Sequence, residues 1–380
     1  MYDAIIIGAR CAGSPTAMLL ARKGYRVLLV DKSTFPSDIM STHYIHIPGV
    51  ERLRRWGLLD RLRATNCPPL GNARLHFGEI EFVPPAPAGA TPGSDGVPEA
   101  FCPRRTVLDK LLVDAAVEAG AELREDFSVR ELVFEDGAVA GATGTAKGGP
   151  AVTDRAHIVI GADGLHSTVA RHVKPAEYDT RPSLTYGYYA YWSGVGLEEA
   201  ELYFLDGAGV LAFPTNDSLT CVAVGGPHGG FQEFRKDIER NYTKIIEMAP
   251  KLAQRMRGAK RETRFVGTAD QPNYFRRPYG PGWALVGDAG YHRDFVTGLG
   301  ITDAFRDAEL LAEAIDAGCS GRRPLEDALA AYEQRRNEIA KPLYDVTCQL
   351  ASGAMPEPAQ FLAFGAAMQA MMPAPVGAQK

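Results

Sequence analysis

Two continuous apolar runs flank an amphipathic stretch at the start of the chain. The first run covers Tyr2 to Gly8, the stretch from Ala12 to Lys23 has helical spacing, and the second run is "YRVLLVDK". Neither run alternates apolar and polar residues, which is typical of parallel strands covered on both faces. The pattern therefore predicts a strand, a helix and a parallel strand, the βαβ unit of an α/β domain.

Similar patterns continue this α/β domain further along the chain. Apolar positions at helical spacing predict helices over Pro48 to Ala64, Thr106 to Ala119, Ile301 to Ala317 and Leu325 to about Leu350. Strands are predicted around the Asp136-Gly137 turn, in "HIVIGADG" and in "WALVGDAG". A short helix rich in Met and Ala, followed by a tail, ends the chain.

The pattern changes between Pro182 and Val266, where aromatic residues alternate with others. Segments such as "LTYGYYAYWSG" and "LTCVAVGG" are typical of an antiparallel sheet with one buried face. Alternation places Tyr186 and Tyr188 on one face of the sheet and Tyr189 and Tyr191 on the other. These rings form either an ordinary core or the wall of a pocket for an aromatic substrate.

These changes of pattern divide the chain into three parts. We expect an α/β domain built from residues 1–180 and 268–350, an inserted sheet domain over residues 181–267, and a C-terminal helix and tail over residues 351–380. The stretch from Pro84 to Pro98 is rich in Pro, Gly and Ala without periodicity, so it is either a mobile lid or a surface excursion.

Composition and charge exclude several classes of protein. The 380 residues carry a net charge of −5 without a long basic run, so a nucleic acid partner is not expected. Six cysteines show neither paired nor zinc-ligand spacing, so we expect reduced thiols and no metal site. The first strand follows Met1 directly and no apolar stretch reaches the length of a membrane span, which predicts a cytoplasmic protein.

The turn after the first strand has the spacing of a nucleotide-binding loop, with one exception. In "GARCAG", Gly8 and Gly13 occupy the outer glycine positions of Gly-x-Gly-x-x-Gly, whereas Arg10 occupies the middle one. Unpaired N–H groups and the dipole of the following helix favour a pyrophosphate here. Asp31, at the end of the second strand, is placed to bind an adenosine ribose. The cofactor-binding residues expected in this unit are Gly8, Arg10, Ala12, Gly13, Asp31 and Lys32.

Two further motifs follow in a defined order. "IVIGADGLHSTVAR" contains Asp163-Gly164 after a predicted strand, and "GWALVGDAGYHRDFVTGLGITDAFRDAELLAEAI" contains Gly287-Asp288 and a glycine turn before a helix. With these motifs the chain resembles the class A FAD-dependent aromatic monooxygenases typified by para-hydroxybenzoate hydroxylase, and is also similar to geranylgeranyl reductases and flavin halogenases. The resemblance implies a Rossmann-like, glutathione reductase-type FAD-binding domain with an inserted antiparallel-sheet substrate domain.

The resemblance also implies which residues hold the flavin. The Asp288 carboxylate would accept a hydrogen bond from a ribityl hydroxyl. Gly298, Gly300 and Ile301 would form the turn and first residues of a helix whose positive end stabilises reduced flavin.

Three other positions are implied to serve the nucleotide. Asp163 and Gly164 would contact the FAD pyrophosphate and the reductant, NADPH or NADH. Arg105, in "RRTVLD", falls on an FAD-contacting arginine of the family, although it could also be a surface charge at a helix start. The backbone of Val129 would face adenine, although any core strand could also carry valine there.

The last motif departs from the family pattern G-D-A-A-H-x-x-x-P-x-x-G-x-G. Gly290 and Tyr291 replace Ala and His, Phe295 replaces Pro, and Thr302 stands where Asn is common. The family's proline lies beside the C4a edge of the flavin, where oxygen adds. Phe295 is therefore a candidate catalytic position, and it mildly favours a reaction other than oxygen transfer.

Two histidines are further candidate catalytic residues. His43 lies in "STHYIH", which follows the second strand where the family brings a segment toward the isoalloxazine ring. An imidazole there could remove a phenolic proton, since its pKa is ordinarily near neutrality. His292 lies beside the flavin turn. A structural, hydrogen-bonded histidine is an equal alternative for both.

The resulting functional hypothesis is an FAD-dependent, NADPH- or NADH-consuming monooxygenase. It would hydroxylate a small aromatic or polyketide-like substrate with dioxygen, through a flavin C4a-hydroperoxide. An FAD-dependent reductase that transfers hydride to an activated double bond or nitro group is the alternative. A flavin halogenase and a non-catalytic FAD-fold binding protein are weaker alternatives, and the sequence indicates no oligomeric state.

Overall fold

The computed structural model describes residues 1–71, 73–86, 88–91, 98–354 and 358–373. Its strands are β1 (Tyr2–Ile7), β2 (Val27–Val30), β3 (Pro69–Leu70), β4 (Arg74–Phe77), β5 (Ile80–Phe82), β6 (Ala100–Phe101), β7 (Glu122–Arg124), β8 (Phe127–Glu135), β9 (Ala138–Ala146), β10 (Ala151–Gly161), β11 (Glu177–Arg181), β12 (Thr185–Ser193), β13 (Glu201–Leu205), β14 (Ala208–Pro214), β15 (Thr220–Pro227), β16 (Lys260–Arg261), β17 (Val266–Thr268), β18 (Asn273–Arg276), β19 (Tyr279–Gly280), β20 (Trp283–Leu285) and β21 (Tyr291–His292). Its helices are α1 (Gly13–Ala21), α2 (Ile47–Arg55), α3 (Leu59–Arg63), α4 (Arg105–Glu118), α5 (Thr168–Val173), α6 (Phe231–Phe234), α7 (Ile238–Glu247), α8 (Pro250–Met256), α9 (Gly300–Cys319), α10 (Leu325–Ala351) and α11 (Pro358–Ala370).

The first sheet carries the βαβ unit. Its order is β19-β20-β10-β1-β2-β7, with parallel pairing from β20 to β7 and the hairpin of β8 and β9 attached to β10. Along β1, Ala4 and Ile6 face a core shared with α1, α4 and α9, whereas Ile5 and Ile7 face a core shared with β8 and β9. Burial on both faces explains the continuous apolar runs, and the predicted α/β fold is confirmed.

The second sheet has one face packed against the segment that contains Tyr44 and the other face packed against α7. Its order is β16-β12-β15-β14-β13-β4-β5, with β17 also paired to β12. Tyr186 and Tyr188 of β12 pack with Tyr242 of α7, whereas Tyr189 and Tyr191 pack on the opposite side with Tyr44. The predicted division of the four tyrosines between two faces is confirmed.

Several elements differ from the sequence prediction. The single helix predicted from Pro48 to Ala64 is two helices, α2 and α3, because Gly57 between them has a φ of +75° and ends the first one. Helices α6 to α8, which cover one face of the second sheet, were not predicted. Strands β4 and β5, from residues 74–82, join that sheet through the parallel pairing of β4 with β13.

The C-terminal segment packs beside the start of α9. Met371, at the end of α11, is fully buried with Leu299, Ile339 and Leu343. The Met371 carbonyl accepts a hydrogen bond of 2.6 Å from Arg52 Nη1 on α2. None of the described helices has the length and apolar character needed to cross a membrane.

The stretch from Pro84 to Pro98 is described in part, since residues 87 and 92–97 lie outside the described residues. Thr91 donates from its backbone N–H and its hydroxyl to the Glu51 carboxylate, at 2.8 and 3.1 Å. The Ala88 carbonyl accepts a hydrogen bond of 2.9 Å from Gln369 Nε2. These contacts connect the stretch to α2 and α11.

Phe305 tests the packing of α9 against the first sheet. Its ring is fully buried, 5.3 Å from the Trp56 ring, so Phe305→Ala removes contacts and leaves a cavity. We expect the free energy of unfolding to fall by about 3–5 kcal/mol, measured by urea denaturation of the apoprotein. The matched control is Phe134→Ala, because that ring is 51% exposed. Equal losses in the two variants would contradict the described packing.

Candidate active site

The turn between β1 and α1 is closed by two glycines. Gly8 has a φ of +103°, and a Cβ there would lie 2.7 Å from the carbonyl carbon of Ala162, at the end of β10. A Cβ at Gly13 would overlap the Gly8 carbonyl group. Both positions therefore require glycine, and the turn can approach a ligand with its backbone alone.

Asp31 and Lys32 lie beside this turn at the end of β2. The buried Asp31 carboxylate accepts hydrogen bonds of 2.8 Å from the backbone N–H groups of Ala9 and Ser33. Asp31 is therefore held against the glycine turn, at the place where a ribose is expected. Lys32 is exposed.

The Arg10 side chain points away from the turn and does not fill it. Its Nη1 lies 2.6 Å from Asp109 Oδ2, and its Nη2 donates to Ser37 Oγ at 2.8 Å. Asp109 is fully buried and also binds Arg105, whose Nε and Nη2 donate to Asp109 Oδ1 at 3.0 and 2.9 Å. Sequence reasoning did not single out Asp109, although the R-x-x-L-D pattern contains it four residues after Arg105.

Asp163 holds the start of α5. Its carboxylate accepts hydrogen bonds from Ser167 Oγ at 2.5 Å and from the Thr168 N–H at 2.6 Å. Burial raises the pKa of Asp163, although these hydrogen bonds act in the opposite direction. Gly164 follows with a φ of +77°, and Val129 lies half-buried on β8 opposite Gly144. The Asp163 carboxylate thus fixes the connection between the end of β10 and the start of α5.

The second glycine motif meets the start of α1. Gly287 has a φ of +62°, and a Cβ there would lie 2.8 Å from the Ala12 Cβ. The next residue, Asp288, is exposed, and its carboxylate makes no hydrogen bond with any described residue. Gly300 begins α9 in an exposed position, and Leu299 before it provides no side-chain cap.

These features fit FAD. The N-termini of α1 and α9 both lack a side-chain cap, so their N–H groups are available to a phosphate and to a polar ring edge. The carboxylates of Asp288 and Asp31 can accept hydrogen bonds from sugar hydroxyls. The glycine turn lets the backbone approach the ligand closely. Residues from three distant motifs thereby lie at the carboxyl ends of β1, β2, β10 and β20, the edge of the sheet where ligands of such folds are expected.

The segment from Thr42 to His46 lies against the glycine turn before α9. A Cβ at Gly298 would lie 3.4 Å from the Tyr44 Cβ and 3.7 Å from His46 Nε2. His46 Nε2 also hydrogen bonds to the Thr297 carbonyl at 3.1 Å. The segment therefore reaches the edge where the flavin ring is expected.

His43, in this segment, packs against the second sheet. It is fully buried, has a φ of +62°, and its Nε2 hydrogen bonds to Tyr191 OH at 2.6 Å. The rings of Tyr189, Tyr191 and Phe213 surround it at 5.7–5.8 Å between centroids. Its Nδ1 is buried without a hydrogen-bond partner among the described residues.

The environment of His43 keeps its ring neutral. Burial lowers its pKa from 6.5 to about 3, and the positive charge of nearby Arg105 acts in the same direction. Arg104 lies 4.9 Å above the Tyr191 ring and its backbone N–H donates to Asn216 at 2.9 Å. Sequence reasoning did not connect Arg104 or Tyr191 with His43, because they come from distant segments.

The structure places the other two candidate catalytic residues in packing roles. The Phe295 ring fills the space above Gly187 of β12, where a Cβ would lie 2.6 Å from its Cζ. His292 is buried, and its Nδ1 hydrogen bonds to the Pro272 carbonyl. Both side chains therefore fix the turn after Asp288.

Comparisons with known proteins agree with this geometry. The family described as "FAD binding domain" matches residues 1–347. The digeranylgeranylglycerophospholipid reductase of Methanosarcina acetivorans is 27% identical over 358 residues, which are 89% of this chain and 81% of that protein.

Two solved structures are similar in fold. The myxobacterial chondrochloren halogenase CndH superposes with a TM-score of 0.83 at 20% identity, over 97% of this chain and 86% of that chain. P. aeruginosa PqsL, in complex with 2-aminobenzoylacetate, superposes with a TM-score of 0.78 at 21% identity, over 96% and 99% of the two chains.

Gly13 tests the cofactor cradle. In Gly13→Ala the added Cβ meets the Gly8 carbonyl, so the turn must open. We expect the Kd for FAD, measured by flavin fluorescence titration of the apoprotein, to rise at least about tenfold, which corresponds to about 1.4 kcal/mol. The control is Gly229→Ala, since a Cβ there meets nothing within 4 Å. An unchanged Kd in Gly13→Ala would remove the turn from the binding site.

His43 also predicts how stability depends on pH. Because its pKa falls on folding, the unfolded chain binds more protons, so this contribution is complete above about pH 6.5 and is lost as the pH falls toward 3. His43→Asn keeps a residue that tolerates positive φ and removes the titrating group. We expect a shallower decrease in the free energy of unfolding of the apoprotein between pH 6.5 and 4.

The control for this measurement is His228→Asn, which removes an exposed imidazole. Equal pH slopes for wild-type protein and His43→Asn would contradict a buried neutral imidazole at position 43.

Proposed function

The chain belongs to the FAD binding domain family, and on that premise we propose that it is an FAD-dependent monooxygenase that consumes NADPH or NADH. It hydroxylates a small aromatic or polyketide-like substrate that carries an acidic hydroxyl group. The observation that carries this proposal is the buried imidazole of His43, in a cluster of aromatic side chains next to the glycine turn before α9.

The aromatic cluster around His43 suits a flat apolar substrate. Tyr189, Tyr191 and Phe213 offer ring faces and edges, which favour stacked or perpendicular contacts with an aromatic ring. The second sheet and the segment from Thr42 to His46 pack together here. A substrate that enters between them is separated from bulk water, as oxygen transfer to carbon requires.

His43 supplies the polar group of the aromatic cluster. In the tautomer whose Nε2–H donates to Tyr191 OH, the unpartnered Nδ1 can accept a hydrogen bond from the substrate hydroxyl. Tyr191 OH fixes the orientation of the ring through Nε2, so the imidazole is positioned before the substrate arrives. Proton transfer from the substrate hydroxyl to His43 places a substrate anion beside the imidazolium. The attraction between these two charges offsets the free-energy cost of burying the imidazolium.

The remaining residues bind the cofactor. FAD bound there would supply the redox chemistry, taking two electrons from a nicotinamide and passing them to dioxygen. Gly8, Gly13 and the α1 N-terminus would hold its pyrophosphate, Asp31 would hold the ribose, and Asp288 would hold the ribityl chain. Arg105 lies close enough to Asp288 for the two charges to interact, so it adds positive charge beside the phosphates.

A reductase is the second candidate. It is supported by the similarity, over 89% of this chain, to the reductase from Methanosarcina acetivorans, and by Phe295 in place of the usual proline. Such an enzyme would use the same cofactor site and transfer hydride to an activated double bond or nitro group.

Oxygen stoichiometry separates the two candidates. Purified FAD-loaded protein is supplied with NADPH or NADH and a panel containing phenol, catechol and 2-aminobenzoylacetate, and oxygen uptake and products are measured. The proposal predicts one oxygen atom in the product for each reductant consumed, traced with labelled dioxygen. Anaerobic reductant oxidation driven by an activated alkene or nitroarene, without any hydroxylated product, would replace the monooxygenase with the reductase.

His43→Asn tests the role of the imidazole. Asn tolerates the positive φ but cannot take up a proton, so we expect hydroxylation to slow by about 10²–10⁴-fold. FAD affinity and reductant oxidation should persist, so that reductant is consumed without hydroxylated product. Tyr191→Phe keeps the ring and should cause a smaller loss, with His228→Asn as the distant control. Full hydroxylation by His43→Asn would refute the assignment of His43.

A further inference from the structure

Five charged side chains form a buried cluster behind the first turn of α9. Arg293 Nη2 lies 2.5 Å from Asp303 Oδ2, Arg306 Nη1 lies 2.7 Å from Asp303 Oδ1, and Arg306 Nη2 lies 2.7 Å from Asp307 Oδ1. Arg336 completes the cluster from α10, where its charge acts on Asp307. Each of the five side chains is more than nine-tenths buried. We call these five residues the buried charge cluster.

The five residues of the cluster carry more positive than negative charge. Among them, three guanidinium groups face two carboxylates, which leaves one net positive charge when all are ionised; the buried Asp294 carboxylate, next to Arg293, caps the following turn and lies outside this cluster. Arg293 Nε and Nη1 are buried and donate no hydrogen bond to any described residue, and Tyr291 OH beside them is also without a partner. Among the described residues, Asp303 therefore provides the hydrogen-bond acceptor for Arg293 through one carboxylate oxygen.

The cluster lies directly behind the proposed flavin edge. Asp303 belongs to the first turn of α9, and Arg293 lies two residues before Phe295 in the turn that precedes it. Burial lowers the pKa of His46 to about 4; the charge of Arg293 acts in the same direction and the charge of Asp303 acts in the opposite direction. Since His46 contacts Thr297 and lies close to Gly298, both charges of this ion pair act electrostatically at the glycine turn.

We propose that the buried charge cluster raises the reduction potential of bound FAD, and that Arg293 is the positioning residue that sets this effect. The inference rests on FAD binding at the proposed cofactor site. Two-electron reduction with uptake of one proton adds one negative charge to the flavin, and a nearby positive charge in a poorly solvated region stabilises that product. The cluster thereby supplements the α9 dipole with a full charge.

Two single variants change the cluster charge in opposite directions. Arg293→Gln removes one positive charge, so reduced flavin becomes less stable and the potential falls. Asp303→Asn removes one negative charge, so the potential rises. We expect each to change the equilibrium ratio of reduced to oxidised flavin roughly tenfold, about 30 mV for a two-electron couple. The measurement is dye-equilibrium spectroscopy of the FAD-loaded protein without substrate.

Matched variants separate charge from packing. Arg293→Lys keeps the charge and should stay near the wild-type potential, and the double variant Arg293→Gln/Asp303→Asn restores the net charge and should return toward it. Arg240→Gln, on the exposed surface of α7, is the control outside the first sheet. If Arg293→Gln does not retain FAD, the Asp303→Asn and Arg293→Lys potentials test the proposal by themselves.

Three results would overturn the inference. They are shifts of Arg293→Gln and Asp303→Asn in the same direction, no shift in either variant, or a shift in Arg293→Lys as large as that of Arg293→Gln. A wild-type protein that binds no FAD would instead refute the proposed function, so the two failures are distinguishable.

Discussion

At the junction of β1 and α1, a Cβ at Gly8 has no space because the backbone that follows β10 lies against it, and a Cβ at Gly13 has none because it would overlap the Gly8 carbonyl group. This close approach brings the end of β10 and the first turn of α1 to one edge of the sheet. Gly287 repeats the constraint from the other side, because its Cα faces the Ala12 Cβ. The carboxyl ends of these strands can therefore lie side by side only while their backbones remain in contact. The other features of the site depend on this contact.

The same constraint explains how an arginine is accepted in the turn. Arg10 is not among the residues with positive φ, so its backbone does not require glycine. Its guanidinium extends away to the buried Asp109 carboxylate, which Arg105 approaches from the other side. Two arginines share one carboxylate there, so positive charge remains near the phosphate-binding turn while each cation keeps an ionic partner.

The sequence predicts those parts of the fold that depend on local pattern. The runs at β1 and β2 and the helical spacing of α4, α9 and α10 need only neighbouring residues, and the family pattern around Asp163 and Asp288 assigns the cofactor site. Pairing between distant segments has no local signal. The contact of His43 with Tyr191 spans 148 residues, and β4 pairs with β13, so neither could be obtained from spacing. The local sequence around Arg293 does not predict burial, and only the packed structure shows that this side chain is buried.

His43 combines two energetic costs at one residue. A left-handed backbone conformation costs a residue other than glycine roughly 1 kcal/mol or more, and a buried nitrogen without a partner adds about 1–3 kcal/mol. Asn or Gly would meet the backbone requirement at lower cost. A residue whose backbone conformation and unpartnered Nδ1 are both unfavourable for folding thus lies where the second sheet approaches the turn before α9. Strain of this kind is typical of functional positions, because it holds a group ready for a ligand that supplies the missing contact.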